Sequence, residues 1–271
     1  MLSWVDGQPV ELLSVKDRGL AYGDGLFETI AVKAGQPVLL ERHLTRLAEG
    51  CVRLKIPVDQ PAVRAQVLAF SQQLGEGVAK LILTRGDGQR GYAPPQSAPS
   101  RVILQAAVKP VYPAAYAEQG VRLFGCATRL AEQPLLAGLK HLNRLEQVLA
   151  RSEWQDAEHA EGLMLDTSGR VIEGVYSNLL LVSAGVLITA DLSRCGVAGV
   201  MRAELLAQAV AQGIECQVRD ISYPELLAAD EVMLCNSVYG VWPVRALLAH
   251  GWPVGPLTRT LQALARDLLD C

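Results

Sequence analysis

Along its first third the chain shows strand-like apolar runs broken by turn residues, and then changes to a helical spacing. Leu2 to Val5 and Val10 to Leu13 flank Asp6-Gly7-Gln8-Pro9. Leu26 to Val32 is separated from Pro37 to Leu40 by Lys33-Ala34-Gly35-Gln36, so strands joined by tight turns are expected. From Glu41 to Leu54 the apolar Leu44, Leu47, Cys51 and Leu54 recur every three or four residues, which predicts one buried helix face. Pro61 suits the first turn of a helix, where its missing N–H costs nothing, and opens a second helix to about Leu74. Strand patterns return at Ala79 to Thr84 and Arg101 to Val108.

The stretch from Ala106 to Gly120 contains two prolines and no clear period, so it reads as a linker. Beyond it, short strands are expected at 121–126, 161–166, 177–182, 186–189, 215–219 and 231–235. Helices are expected near 142–156, 200–212 and 257–270, the last with Leu257, Leu261, Leu264 and Leu268 on one face. Helices inserted irregularly among hairpins fit an α+β fold better than a regular βαβ alternation. The division expected is a small N-terminal α/β domain over 1–108, a linker over 109–120 and a larger mixed β/α domain over 121–271.

Composition narrows the function. The chain has 271 residues, 50% hydrophobic and 20% charged, which excludes a disordered protein. A net charge of −3 argues against nucleic acid as the main partner. Mean hydropathy is +0.21, so a membrane span has to be considered. The best stretch, Gly174 to Ala190, is short for a bilayer and is broken by Ser177, Asn178 and Ser183-Ala184-Gly185. MLSWVDGQ has no basic segment, so no signal peptide is expected. Six scattered cysteines without a C-x-x-C pair, and four dispersed histidines, predict reduced cytoplasmic thiols and no metal site.

Several segments carry candidate chemistry. Gly86-Asp87-Gly88-Gln89-Arg90-Gly91 matches a dinucleotide fingerprint, but Tyr92-Ala93-Pro94-Pro95 follows where a helix with free amides is required. A mobile glycine-rich loop is expected instead, with Arg85, Arg90 and Tyr92 available to an anionic substrate. Lys140 lies among apolar neighbours in LLAGLKHL, where desolvation would lower its amine pKa and favour attack on a carbonyl. The plainer alternative is a surface lysine ahead of a helix. Glu173, in a hydrophobic strand and followed by Gly174, suits close approach to an aromatic ring nitrogen; the alternative is an ordinary hairpin acid. Gly196 to Arg202 places glycines before a helix, leaving amides for a phosphate, although an ordinary strand-to-helix loop reads the same way. Asn236-Ser237 offers a hydroxyl and further amides, and Arg46 a cation. A lysine, a ring-nitrogen acid and a phosphate cradle together are what pyridoxal phosphate requires.

The order of these motifs resembles the fold-type IV pyridoxal-phosphate enzymes, which include branched-chain and D-amino acid aminotransferases. The resemblance rests on Tyr22 to Glu28, Glu41 to Leu47, Lys140, Glu173 to Asn178, Gly199 to Arg202 and Asn236-Ser237, and so covers nearly the whole chain. It implies that Lys140 forms the cofactor aldimine and that Glu173 keeps the pyridine nitrogen protonated. It also implies that Arg46, Val200, Met201, Asn236 and Ser237 surround the phosphate. Met201 and Ser237 stand where the branched-chain enzymes have threonine, so one hydroxyl contact is lost at Met201.

Within that family, RGDGQRGY (85–92) and GLKHLNRLEQVLAR (138–151) are similar to the lyases acting on 4-amino-4-deoxychorismate. The resemblance then implies elimination of pyruvate to leave 4-aminobenzoate, in a cytoplasmic homodimer. Arg85, Arg90 and Arg144 are the candidates for the two substrate carboxylates, with Tyr92 and Asn143 as hydrogen-bond partners. An aminotransferase on the same scaffold is the alternative, and a catalytically silent binding protein a second one.

Overall fold

Strand β1 (Ser3–Val5) pairs antiparallel with the distant β5 (Arg101–Ala107), in the register Trp4↔Leu104, and not with the apolar run that follows it. The Asp6 backbone N–H and carboxylate fasten the turn to Val102, and Val10 to Leu13 forms no strand, contrary to the pattern. Pro9 has no ladder donor, β1 is already paired, and Leu12 is left 83% exposed. This computed structural model describes residues 2–95 and 98–270. The chain forms two units. One comprises Met1–Pro110, Leu139–Asn143 and Leu269–Cys271, the other Val111–Gly138 and Arg144–Leu268. Residues 139–143 and the C-terminal end thus group with the first unit, which a single break near 109–120 does not provide for.

In the first unit α1 (Arg18–Tyr22) precedes β2 (Gly25–Lys33), and β3 (Gln36–Pro37) turns back after Ala34 and Gly35. Both turn residues have positive φ, 49° and 76°, the hairpin geometry that matches strand twist. Helices α2 (Leu40–Leu54) and α3 (Gln60–Leu74) lead into β4 (Gly77–Thr84), and the sheet order is β1-β5-β4-β2-β3. Alternate strand residues Ile30, Val32, Leu81, Leu83, Val102 and Leu104 share a core with Leu47 and Cys51 of α2 and Val63, Val67 and Phe70 of α3. By the same alternation Phe27, Thr29, Lys80 and Ile82 lie on the opposite face.

In the second unit α4 (Ala114–Glu118) falls within the expected linker and is fastened by Arg259 and Gln262, which donate to Ala117 O at 3.0 and 2.8 Å. Then follow β6 (Val121–Leu130), α5 (Leu145–Ser152), β7 (His159–Asp166), β8 (Val171–Gly174), β9 (Asn178–Ser183) and β10 (Val186–Ala190). The remainder is α6 (Val200–Ala211), β11 (Cys216–Arg219), α7 (Tyr223–Leu227), β12 (Glu231–Asn236), β13 (Gly240–Leu247), β14 (His250–Gly251) and α8 (Pro256–Asp270). The strand order is β11-β10-β9-β12-β13-β6-β7-β8, and β8 also pairs with β9 at Glu173↔Asn178. Strands β9, β12, β13, β6, β7 and β8 therefore form a closed circuit. β13 escaped the sequence pattern because Pro243 interrupts it, although Pro243 is in register with Met233. α5 is shorter than the 142–156 expected, since Glu153 instead accepts the Ala127 and Thr128 amides of β6. No helix among the described residues is long and apolar enough to cross a membrane.

Candidate active site

The first unit holds a hydrogen-bonded triad of ionisable residues on its helix-covered face. Glu28 of β2 accepts from Arg46 Nε at 2.8 Å through Oε1 and from Arg46 Nη2 through Oε2, and His43 Nδ1 lies 2.6 Å from the same Oε2. His43 and Arg46 come from one turn of α2, because positions three apart share a helix face. Burial by itself would raise the Glu28 pKa, but the Arg46 charge and the His43 contact hold it down at about 2. Burial lowers that of His43, against the pull of Glu28.

Lys140 lies in an extended segment bridged to β2 at Leu26↔His141, with its carbonyl accepting the Phe27 N–H at 2.9 Å. Its Nζ stands 4.4 Å from the centroid of the Phe27 ring, and Lys80 Nζ stands 5.6 Å from the same ring. Two lysine amines thus share one aromatic ring as a neighbour.

The loop expected to be mobile is tied down. Buried Arg18 donates to Gly91 O and Tyr92 O at 3.1 and 3.0 Å, and Arg101 pairs with Asp87 at 2.6 Å. Arg85, expected to face substrate, is engaged inside the unit. It holds Asp24 at 2.8 and 3.0 Å and the last carbonyls of α2, Leu54 O and Lys55 O, at 2.8 and 2.7 Å. A helix C-terminus attracts a cation, and Asp24 completes the pair. Arg90 and Tyr92 are exposed, Tyr92 by 86%, and Asn143 donates to Gly23 O at 3.2 Å.

The second unit carries the other candidates. Glu173 is 4% exposed on β8, and its Oε2 accepts from Val197 N at 2.9 Å and Asn178 Nδ2 at 3.3 Å. Asn178 also donates to Val197 O at 2.8 Å, so one side chain ties the acid to the loop ahead of α6. Gly196, at φ 81°, and Gly199 let that loop approach: a Cβ at Gly196 would lie 3.3 Å from Glu173 Oε2, and one at Gly199 would overlap Asn178 Oδ1. α6 begins at Val200 with no side-chain cap, and the side chains of Val200 and Met201 are buried. Arg202, also buried, donates to Thr189 Oγ1 and Ala190 O and forms no ion pair among the described residues. Burial lowers the Arg144 pKa, against Glu173 and Glu146. Asn236 uses its Oδ1 to accept the Val238 and Tyr239 amides at 2.9 and 3.0 Å, shaping the turn that contains Ser237.

Sequence reasoning gave no role to Glu28, His43 or Asp24, whose partners lie far along the chain. It also passed over Glu161, which opens the apolar run Gly162-Leu163-Met164-Leu165 and so had a visible signal.

The amino-transferase class IV family pattern matches residues 25–247. Over 264 residues the chain is 39% identical to the aminodeoxychorismate lyase of Vibrio harveyi, covering 96% of this chain and 97% of that one. The crystal structure of 4-amino-4-deoxychorismate lyase from Pseudomonas aeruginosa is 67% identical, with a TM-score of 0.98 and full coverage of both chains. The branched-chain amino acid aminotransferase of Escherichia coli is 26% identical with a TM-score of 0.84, covering 96% and 92%. With one family spanning most of its length and both lyases and aminotransferases among its relatives, the chain belongs to the class IV aminotransferases.

Proposed function

We propose that the chain is a pyridoxal-phosphate-dependent lyase that converts 4-amino-4-deoxychorismate to 4-aminobenzoate and pyruvate in folate biosynthesis, as a cytoplasmic homodimer. The observation that carries this reading is the full-length likeness, at 67% identity, to a chain bearing that lyase's name. The residues present fit the cofactor. An uncapped helix start with buried neighbours suits a phosphate, and buried Arg202 adds positive potential beside it. A buried carboxylate such as Glu173, supplied with one amide and one side-chain donor, suits a protonated ring nitrogen.

Lys140 would hold the cofactor covalently, Glu173 its ring nitrogen, and Arg46, Val200, Met201, Asn236 and Ser237 its phosphate. When bound, the cofactor supplies a sink for the electron pair left by a departing proton. Lys140 Nζ takes that proton from the amine-bearing ring carbon. The neighbouring enolpyruvyl oxygen would then leave with the C–O electron pair, the enolate would take up one proton in place of the one removed to become pyruvate, and the ring would become aromatic, which makes the elimination strongly downhill. Arg90, Arg144, Tyr92 and Asn143 remain the candidates for the substrate's two carboxylates.

An aminotransferase is the second reading, favoured by the 26% identity to the branched-chain enzyme. Substrate turnover separates the two. Given 4-amino-4-deoxychorismate alone, the protein should release pyruvate and 4-aminobenzoate in equal amounts over many turnovers. If it leaves that compound untouched and turns over branched-chain or D-amino acids only with added 2-oxoglutarate, the aminotransferase reading replaces this one.

A further inference from the structure

One buried carboxylate has no part in the reaction above. Glu161 of β7 is fully buried, and no lysine, arginine or histidine pairs with it among the described residues. Its Oε1 accepts the Gly162 N–H at 2.9 Å and the Val175 N–H at 3.1 Å. Its Oε2 accepts from Ser177 Oγ at 2.7 Å and from the Tyr176 N–H at 3.3 Å. Three of these four donors belong to the short turn between β8 and β9. Gly174, at the entry to that turn, donates to Ser177 O at 2.7 Å, and a Cβ on it would collide with Ser177 Oγ and lie 3.0 Å from the Glu161 carboxyl. Tyr112, Tyr176, Tyr239 and Cys126 are titratable groups near Glu161, and burial pushes its carboxyl up to about 8. So costly a group is a poor choice for packing alone.

The turn joins two residues of the candidate site. Glu173 directly precedes Gly174, and Asn178 directly follows Ser177. They face each other in the register pair between β8 and β9 that closes the strand circuit. Asn178 Nδ2 reaches Glu173 Oε2 across this closure. The conformation of residues 174–177 therefore sets where the Glu173 carboxylate stands relative to its own donors.

We propose that Glu161 is a positioning residue for Glu173: by gathering the donors of the 175–177 turn, it fixes the Glu173–Asn178 closure and so the acid that meets the cofactor ring. This rests on the proposed role of Glu173, and the test separates the two claims. Glu161→Leu keeps the volume and strips the acceptors, Glu161→Gln keeps one carbonyl acceptor, and Glu173→Gln serves as benchmark. The measurements, on the holoenzyme, are the visible spectrum of the bound cofactor across pH, and kcat and KM for 4-amino-4-deoxychorismate.

Glu161→Leu should move the spectrum in the direction that Glu173→Gln does and lower kcat by roughly tenfold or more, with KM little changed, as misplacement of a reacting group does. Glu161→Gln should recover most of kcat. Adding Glu161→Leu to Glu173→Gln should lower kcat no further, since both act through one group. If Glu161→Leu does not fold, Ser177→Ala removes a single donor and should shift the spectrum the same way by less. A wild-type spectrum and kcat in Glu161→Leu (or in Ser177→Ala where it stands in), or a fully multiplicative loss in the double variant, overturns the proposal. A spectrum unchanged in Glu173→Gln itself overturns the role of Glu173, and this inference with it.

Discussion

At the scale of single residues, the candidate site depends on charges held by other charges. Arg46 meets Glu28 through two of its nitrogens, and that pairing sets the plane of the guanidinium proposed to hold phosphate. Arg46→Ala should therefore weaken pyridoxal phosphate binding roughly ten- to hundredfold, the worth of one charge-assisted contact, while leaving pyridoxal affinity nearly unchanged. Equilibrium titration with the two compounds reads the difference, and an equal loss for both would remove Arg46 from the phosphate. Arg46→Lys should rescue little, because an ammonium cannot bridge both Glu28 oxygens. Glu28 and His43 lie within segments that carry the family resemblance, but neither received a role of its own, since a buried carboxylate is recognised by its partner, and Arg46 is brought to it only by packing of α2 on β2.

At the scale of elements, the glycines before α6 decide how closely a loop and a strand approach. Gly199→Ala would drive its Cβ into Asn178 Oδ1 and displace the side chain that bridges Glu173 and Val197 O. The expected outcome is a lowered Tm together with at least a tenfold weaker hold on the cofactor phosphate, seen in thermal scans and cofactor titration. A variant with unaltered cofactor affinity would mean that the α6 start does not depend on Asn178. The C-terminal helix gives a second lesson in approach. Its period was legible, but the buried stripe is Thr258, Leu261, Gln262, Ala265 and Leu269, not the leucine face at 257, 261, 264 and 268. Thr258 is drawn inward because its N–H and hydroxyl satisfy buried Glu231, at 2.7 and 2.6 Å.

For the molecule as a whole, buried acids leave a mark on the pH dependence of stability. Glu161 keeps its proton up to about 8 in the folded state, whereas the unfolded chain gives it up in the ordinary range near 4.5. The folded state then binds more protons than the unfolded one between those values, so this group makes stability fall as pH rises through that window. Glu28 acts oppositely and further down: its contribution is lost only as pH falls from the ordinary range toward about 2. Chemical denaturation of the wild type and of Glu161→Gln between about pH 5 and 8, roughly the interval between the two Glu161 values, should show the variant losing a decline that the wild type has. Parallel profiles would contradict the assignment. By itself the sequence determined what local chemistry controls: the spacing of α2, the proline start of α3, the Ala34-Gly35 hairpin, the absence of a helix after Gly86, and the motif order around Lys140 and Glu173. Only the tertiary structure decided which strand pairs with β1, why Val10 to Leu13 stays unpaired, that Arg85 is taken up by Asp24, and that the strand circuit closes at Glu173 and Asn178. Strand pairing and ion pairing join residues distant in the chain. Their energies depend on burial and partner geometry, which no local pattern of apolar and polar residues encodes.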